Sequence, residues 1–162
     1  MPFMYAVSSQ QNTNAAANTD TLLADLKTAS ANAGLRAYIQ KLQAGSYATP
    51  ADNGIRLRLH RLTAVGTYAS GTAVTAAPLV PDAPAAASLA STLPTLGTGT
   101  LNAVPAIQLA FNQRGTGLWA AFTVDEAIGI SGANNAVNGV AILDSQSTGT
   151  SVPVNFKIIF SE

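Results

Sequence analysis

The feature that most restricts the fold is a set of short segments in which apolar residues recur at every second position. Residues 55–62 are the clearest segment, and the turn-forming run 52–54 precedes them. Side chains alternate between the two faces of a strand, so aliphatic residues occupy one face here and basic residues the other. The alternating residues are Ile55, Arg56, Leu57, Arg58, Leu59 and His60.

Further segments that favour strands follow in the second half of the chain. They are residues 106–111, 117–124, 127–130, 137–143 and 152–160. Apolar residues alternate in 106–111 and 152–160, whereas 127–130 and 137–143 are largely apolar without alternation. Gly-, Asn- and Pro-containing turns separate them, and Asn138-Gly139 within one of them is typical of a bulge or hairpin. About eight to ten short strands with such punctuation are typical of antiparallel proteins. The sequence therefore predicts an all-β fold, an antiparallel β-sandwich or jelly roll.

The rest of the chain gives weaker predictions. Residues 20–33 fit a helix or a strand over 21–27, and we favour the strand because the later segments indicate β-structure. Residues 35–42 and 55–62 are predicted to pair as antiparallel neighbours. Residues 1–18 are predicted to be a flexible arm, and residues 19–162 a single sandwich domain.

Proline and glycine punctuate residues 66–99, so this segment is predicted to be one long Pro/Ala-rich connection. Residues 72–75 within it suit a short edge strand. Residues 83–90 are rich in alanine, which favours a helical turn or two.

The composition excludes several classes of function. Charged residues make up 10% of the chain, the formal net charge is zero, cysteine is absent and there is one histidine. Nucleic-acid binding needs an excess of Lys and Arg, and a thiolate metal site needs cysteine. We therefore expect no nucleic-acid partner, no metal, no cofactor and no disulfide. No apolar run is long enough to span a bilayer, and the N-terminus lacks a secretory signal, so we expect no membrane association.

The candidate catalytic and phosphate-binding residues are scattered along the sequence. Asp125 and Glu126 are adjacent, and neighbours in a strand point to opposite faces, so a surface turn is the simpler interpretation. His60 stands in a basic row without an orienting carboxylate. The Gly-Thr-Gly runs at 97–99 and 115–117 lack the lysine of a phosphate-binding loop, which favours turns. We expect no enzymatic activity and no catalytic residue.

Five residues remain as candidates for contact with another protein. Arg56, Arg58 and His60 form a basic stripe that is either a contact for acidic groups or a solvated sheet face. Trp119 is either a core residue or an interface anchor. Trp119 and Arg114 are also the candidates for a carbohydrate site, which needs an aromatic ring and convergent polar groups.

Several short motifs resemble those of small jelly-roll proteins that decorate or cement the capsids of tailed bacteriophages. They are RAYI at 36–39, ATPADN at 48–53, RLTAVGT at 61–67, FNQRGT at 111–116 with Trp119 beyond it, and IIFSE at 158–162. The resemblance covers residues 20–162 and carries over no catalytic residue.

The resemblance implies a β-sandwich or jelly roll that binds the outside of the major capsid protein lattice and forms homo-oligomers, most often trimers. It places the protein on the capsid surface of a virion assembled in the host cytoplasm. The alternative is a tail or other virion module that recognises a host-surface carbohydrate.

Overall fold

The computed structural model describes residues 2–28, 36–46, 49, 51–64, 71–92, 100–131 and 139–162. Over these residues the chain forms thirteen strands and one 3₁₀ turn, Val124–Glu126. The strands are β1 Met4–Asn12, β2 Thr21–Thr28, β3 Arg36–Gly45, β4 Gly54–Ala64, β5 Thr72–Val74, β6 Ala77–Pro78, β7 Ser88–Thr92, β8 Thr100–Leu101, β9 Ile107–Asn112, β10 Thr116–Ala120, β11 Ile128–Ser131, β12 Gly139–Gln146 and β13 Pro153–Ser161.

These strands form two antiparallel sheets. The first sheet runs β6-β1-β13-β3-β10, with β11 also on β3, and the second runs β5-β7-β2-β12-β4, with β8 and β9 on β4. The long strands β1, β2, β3 and β4 alternate between the sheets, as do β12 and β13. This is the double-sheet order of a jelly roll, so the predicted fold class is confirmed.

The core lies between the sheets and is formed by alternate residues of both inner faces. Phe156, Ile158 and Phe160 of β13 face it from the first sheet, and Leu57 and Leu59 of β4 face it from the second. All five side chains are buried. This alternation explains why the period-two segments at 55–62 and 152–160 predicted their strands correctly.

The long connection between β4 and β9 adds short strands to the sheet edges. The predicted edge strand at 72–75 is confirmed as β5, whereas the helical turn predicted at 83–90 is wrong, because Ser88–Thr92 pairs with β2 as β7. Cross-strand backbone pairing outweighs the helix propensity of alanine here. Tyr5 donates a hydrogen bond to the Pro84 carbonyl at 3.0 Å and fixes the middle of the connection to the sandwich.

The predicted flexible arm at residues 1–18 is wrong for residues 4–12. Met4–Asn12 is β1, which pairs with β13 over its whole length and with β6 on its other side. The run 8–12 is polar, but backbone hydrogen bonds do not depend on the side chain. Beyond β1, the Thr13 amide donates to the Val152 carbonyl, and the Asn18 amide donates to the Gln146 carbonyl.

The predicted pairing of residues 35–42 with 55–62 is also wrong. These segments contain β3 and β4, which belong to different sheets, so the connection between them leads from one sheet to the other.

The strand predicted at 21–27 is confirmed as β2. In β12 the irregularity against β2 falls between Ile142 and Leu143 rather than at Gly139, and Asn138 lies outside the described residues.

Candidate protein-contact surfaces

The structure places the basic stripe on the outer face of the second sheet. Arg56, Arg58 and His60 alternate in β4 with core residues, and they lie opposite Ser145, Leu143 and Ala141 of β12. Arg61 is not part of the stripe, because its Nη1 donates to the Gly129 carbonyl of β11, in the first sheet. The stripe thus has the three members that alternation predicted.

Intramolecular partners occupy much of this stripe. Arg58 forms an ion pair and hydrogen bond with Asp20, and its Nε is buried without a partner. His60 is buried, with Nδ1 2.7 Å from the Asn102 carbonyl oxygen. Arg56 is more exposed, and its Nε donates to Ser145 Oγ at 3.3 Å. Arg56 is therefore the member of the stripe that is most accessible to another molecule.

Arg114 and Trp119 do not form an open aromatic site. Trp119 lies opposite Leu42 on the inner face of the first sheet and packs partly buried against the core. Arg114 stands in the turn between β9 and β10, where its Nε donates to Asp52 Oδ1 at 2.9 Å. The core interpretation therefore fits Trp119 better than that of an interface anchor.

The outer face of the first sheet is a second surface, separate from the basic stripe. It presents amide, hydroxyl, small and a few apolar side chains, together with one arginine and two lysines, from four neighbouring strands. Its exposed or partly exposed members include Ser8, Gln10, Arg36, Lys41, Gln43, Thr116, Leu118, Ala120, Asn155, Lys157 and Ile159. No carboxylate of the described chain lies among them. The only sign of this face in the sequence is the polar half of the alternation in β3 and β13.

A shallow groove of about 520 Å³ crosses this face. Ser8, Gln43, Asn155 and Lys157 supply its polar lining. Its one aromatic lining residue, Phe156, is buried in the core, so it offers no exposed ring for stacking on a sugar. The groove contains donors and acceptors but no pair of carboxylates that would support general acid–base chemistry.

Asp144 is a buried acid that no pattern in the sequence indicates. It lies opposite Leu57 of β4 and Thr21 of β2, so its side chain is on the inner face of the second sheet. No other residue in the described part of the chain supplies a hydrogen-bond partner to either carboxylate oxygen, and Thr21 Oγ1 beside it is also without one there. Burial, with a smaller contribution from the negative charge of Asp20, raises the pKa of Asp144 to about 7.

Two other acids form structural contacts. Glu126 accepts a hydrogen bond from the Phe122 amide within the 3₁₀ turn, and Asp25 accepts one from the Ser91 amide. In the described residues no three His, Asp or Glu side chains are grouped to hold a metal ion. Within the same residues there is no helix of sufficient length and apolarity to cross a membrane.

The chain matches no family model and no curated protein. Solved structures with a similar arrangement come from viral particles and capsid proteins. A chain in the structure of a marine algae virus of the order Picornavirales is 14% identical in sequence to this chain. The match covers 97% of this chain and 67% of that chain, and its TM-score is 0.34. A chain in the structure of infectious bursal disease virus, Gx strain, is 15% identical to this chain. That match covers 99% of this chain and 40% of the viral chain, and its TM-score is 0.17.

The decameric BFDV capsid protein is 9% identical, with 100% of this chain and 99% of that chain covered and a TM-score of 0.19. This chain spans about two fifths of the infectious bursal disease virus chain. With TM-scores this low, we draw no functional conclusion from these likenesses.

Proposed function

We propose that this protein is a structural virion protein of a tailed bacteriophage that binds the outer surface of the major capsid lattice and cements adjacent capsomers. The proposal includes attachment in many copies and self-association, with the trimer as the expected form. The observation that carries it is the open outer face of the first sheet, which over the described residues presents no acidic side chain and three basic ones.

An extended face of this composition is suited to protein contact. Interface cores are depleted in charged side chains, because each charge loses hydration on association. Several charges of the chain are neutralised internally, by the ion pairs of Asp25 with Lys27, Asp20 with Arg58 and Asp52 with Arg114. The outer face of the first sheet is thus a broad surface that a protein partner can cover at low desolvation cost.

The mechanism is multivalent cementing. A copy that bridges two capsomers holds them at a high effective concentration, so modest contacts oppose opening of the shell under the pressure of packed DNA. The carbohydrate alternative has less support, because Trp119 packs against the core and the groove lacks an exposed aromatic ring.

The test uses purified protein and undecorated phage heads. We expect the protein to co-sediment with the heads and to raise the temperature at which they release DNA. Gln43→Arg places a bulky charge on the outer face of the first sheet and should abolish binding. Gln108→Arg makes the same change at an exposed position of β9 in the second sheet and should bind normally.

Absence of co-sedimentation, or an unchanged release temperature, would overturn the proposed function. Equal binding by Gln43→Arg and Gln108→Arg would show instead that another surface contacts the shell. Far-ultraviolet circular dichroism of both variants verifies that each retains the β-fold.

A further inference from the structure

Two patches of exposed apolar side chains lie at opposite edges of the first sheet. At the β6 edge, the Leu79 amide donates to the carbonyl of Met4, the residue after Phe3, and Val80 follows Leu79 in the bend beyond β6. Phe3, Leu79 and Val80 are all exposed. We call these three residues the β6-edge patch.

The second patch stands on the far side of the sheet, at β10. Leu118 points outward from β10, and Phe122 follows the end of that strand with 92% of its surface exposed. We call Leu118 and Phe122 the β10-edge patch. Exposing a phenylalanine ring almost completely gives up about 2 kcal/mol of burial free energy, so contact with another apolar surface would be favourable.

An acidic side chain lies near the β6-edge patch, and two lysines lie on one side of the β10-edge patch. Asp82 follows the β6-edge patch by two residues, is exposed and forms no ion pair in the described chain. Lys41 lies opposite Ala120, and Lys157 lies opposite Gln43, which in turn faces Leu118. These lysines also form no ion pair in that part of the chain.

The β10 edge also carries Asp125 and Glu126, on the 3₁₀ turn beyond Phe122. The basic side of this patch is therefore the side around Leu118 and Lys41. A partner that brings Asp82 to that side would pair the charges and cover Leu118 with Leu79.

From these patches we infer that copies of this protein associate head to tail, with the β6-edge patch of one copy on the β10-edge patch of the next. The patches lie at opposite edges of one sheet, so a single molecule cannot join them. An interface between two different surfaces leaves one of each free, and repetition gives a closed ring or an open chain. The inference rests on the self-association in the proposed function and names its surfaces.

Sedimentation velocity of the full chain at concentrations of about 1 to 200 µM tests the inference, because this range brackets weak and standard interfaces. We expect the wild type to exceed the monomer mass. Phe122→Ser and Leu79→Ser should each raise the apparent dissociation constant at least about tenfold, as expected for loss of an interface anchor. Val104→Ser is the matched control, since Val104 is 71% exposed and lies outside both patches.

Mixing the two defective variants separates a head-to-tail contact from a symmetric one. Phe122→Ser retains an intact β6 edge and Leu79→Ser an intact β10 edge, so the mixture should form a dimer that grows no further. Asp82→Lys should weaken association, and adding Lys41→Asp should restore it.

A wild type that stays monomeric at the highest concentration would overturn the inference, as would a mixture that forms no dimer. The head-binding assay keeps this failure separate from failure of the proposed function. A monomer that binds heads contradicts the head-to-tail contact and the proposed self-association but leaves the capsid role standing, whereas an oligomer that ignores heads contradicts only the capsid role.

Discussion

Asp144 shows how a single side chain can make the stability of this sandwich depend on pH. Its carboxyl lies on the inner face between Leu57 and Thr21 in the sheet register, and no other described residue donates a hydrogen bond to it. Removing the hydration of a carboxylate without replacing it favours the neutral acid. The folded chain therefore holds a proton that the unfolded chain releases at lower pH.

The sign of the effect follows from proton linkage. Burial raises the pKa of folded Asp144 to about 7 from its ordinary value of 3.8. Between these values the folded state binds the proton more tightly, so the free energy of unfolding falls as pH rises. The pH-dependent cost of burying Asp144 vanishes well below pH 3.8 and reaches its full value, roughly 4 kcal/mol as an upper bound, above pH 7.

Asp144→Asn is expected to stabilise the protein at pH 8 and to have little effect at pH 4. Asparagine keeps the shape of the neutral acid and cannot ionise. Urea unfolding followed by Trp119 fluorescence at several pH values measures the difference. The control is Asp82→Asn at an exposed carboxylate, which should change stability little at either pH. Equal effects of Asp144→Asn at pH 4 and pH 8 would refute this assignment.

At the scale of elements, Glu162 holds the long connection between β4 and β9 in place. The Glu162 carboxylate accepts hydrogen bonds from the Ala87 amide at 2.5 Å, the Ser88 amide at 3.1 Å and the Ser88 hydroxyl at 2.6 Å. Hydrogen bonds to an ionised acceptor are stronger than neutral ones. This contact joins the end of β13 in the first sheet to the start of β7 in the second.

Glu162→Ala is expected to lower the free energy of unfolding by about 1–3 kcal/mol, because it leaves the two partly buried donors of Ser88 without their acceptor. Cleavage by proteinase K in residues 79–87 should also become faster, as seen by mass spectrometry. Glu126→Ala is the comparison, since Glu126 accepts a hydrogen bond only within its own turn, from the Phe122 amide. If both variants are cleaved at the wild-type rate, the connection is held by other contacts.

Alternation in the sequence predicted individual strands, but it did not predict their partners. β13 and β4 were predicted correctly because their apolar residues repeat with the period of a strand. β1 was missed because Ser8, Gln10 and Asn12 resemble a disordered segment, and its stability comes from pairing with β13, which is distant in sequence. The separation of β3 and β4 into two sheets is likewise a long-range property.

For the candidate contact surfaces too, the sequence predicted which residues share a face but not which residues they contact. Alternation correctly placed Arg56, Arg58 and His60 on one face. It did not predict that Arg58 pairs with Asp20 or that His60 lies against the Asn102 carbonyl, because these partners are distant in sequence. The inward direction of Asp144 was hidden as well. Only the register against β4 places it opposite Leu57, since β12 is almost continuously buried.

For the molecule as a whole, the two proposed surfaces would act together. The outer face of the first sheet would contact the shell, while the β6 and β10 edges join neighbouring copies. Lateral contact would cover Leu118 and Lys41 at one border of that face and leave its residues in β1 and β13 free for the shell. A linked set of copies releases from a surface only when all of its contacts open, so linkage strengthens attachment beyond the affinity of one copy.

Loss of the lateral contact should therefore weaken retention on heads without abolishing binding. We expect Phe122→Ser and Leu79→Ser to bind undecorated heads but to wash off about 100-fold faster than the wild type, at the low end of avidity gains. Surface plasmon resonance on immobilised heads measures the dissociation rates. Similar losses in both variants indicate linkage between copies, whereas a loss in Phe122→Ser alone would mean that Phe122 contacts the shell directly. Wild-type dissociation rates in both would show that copies attach independently.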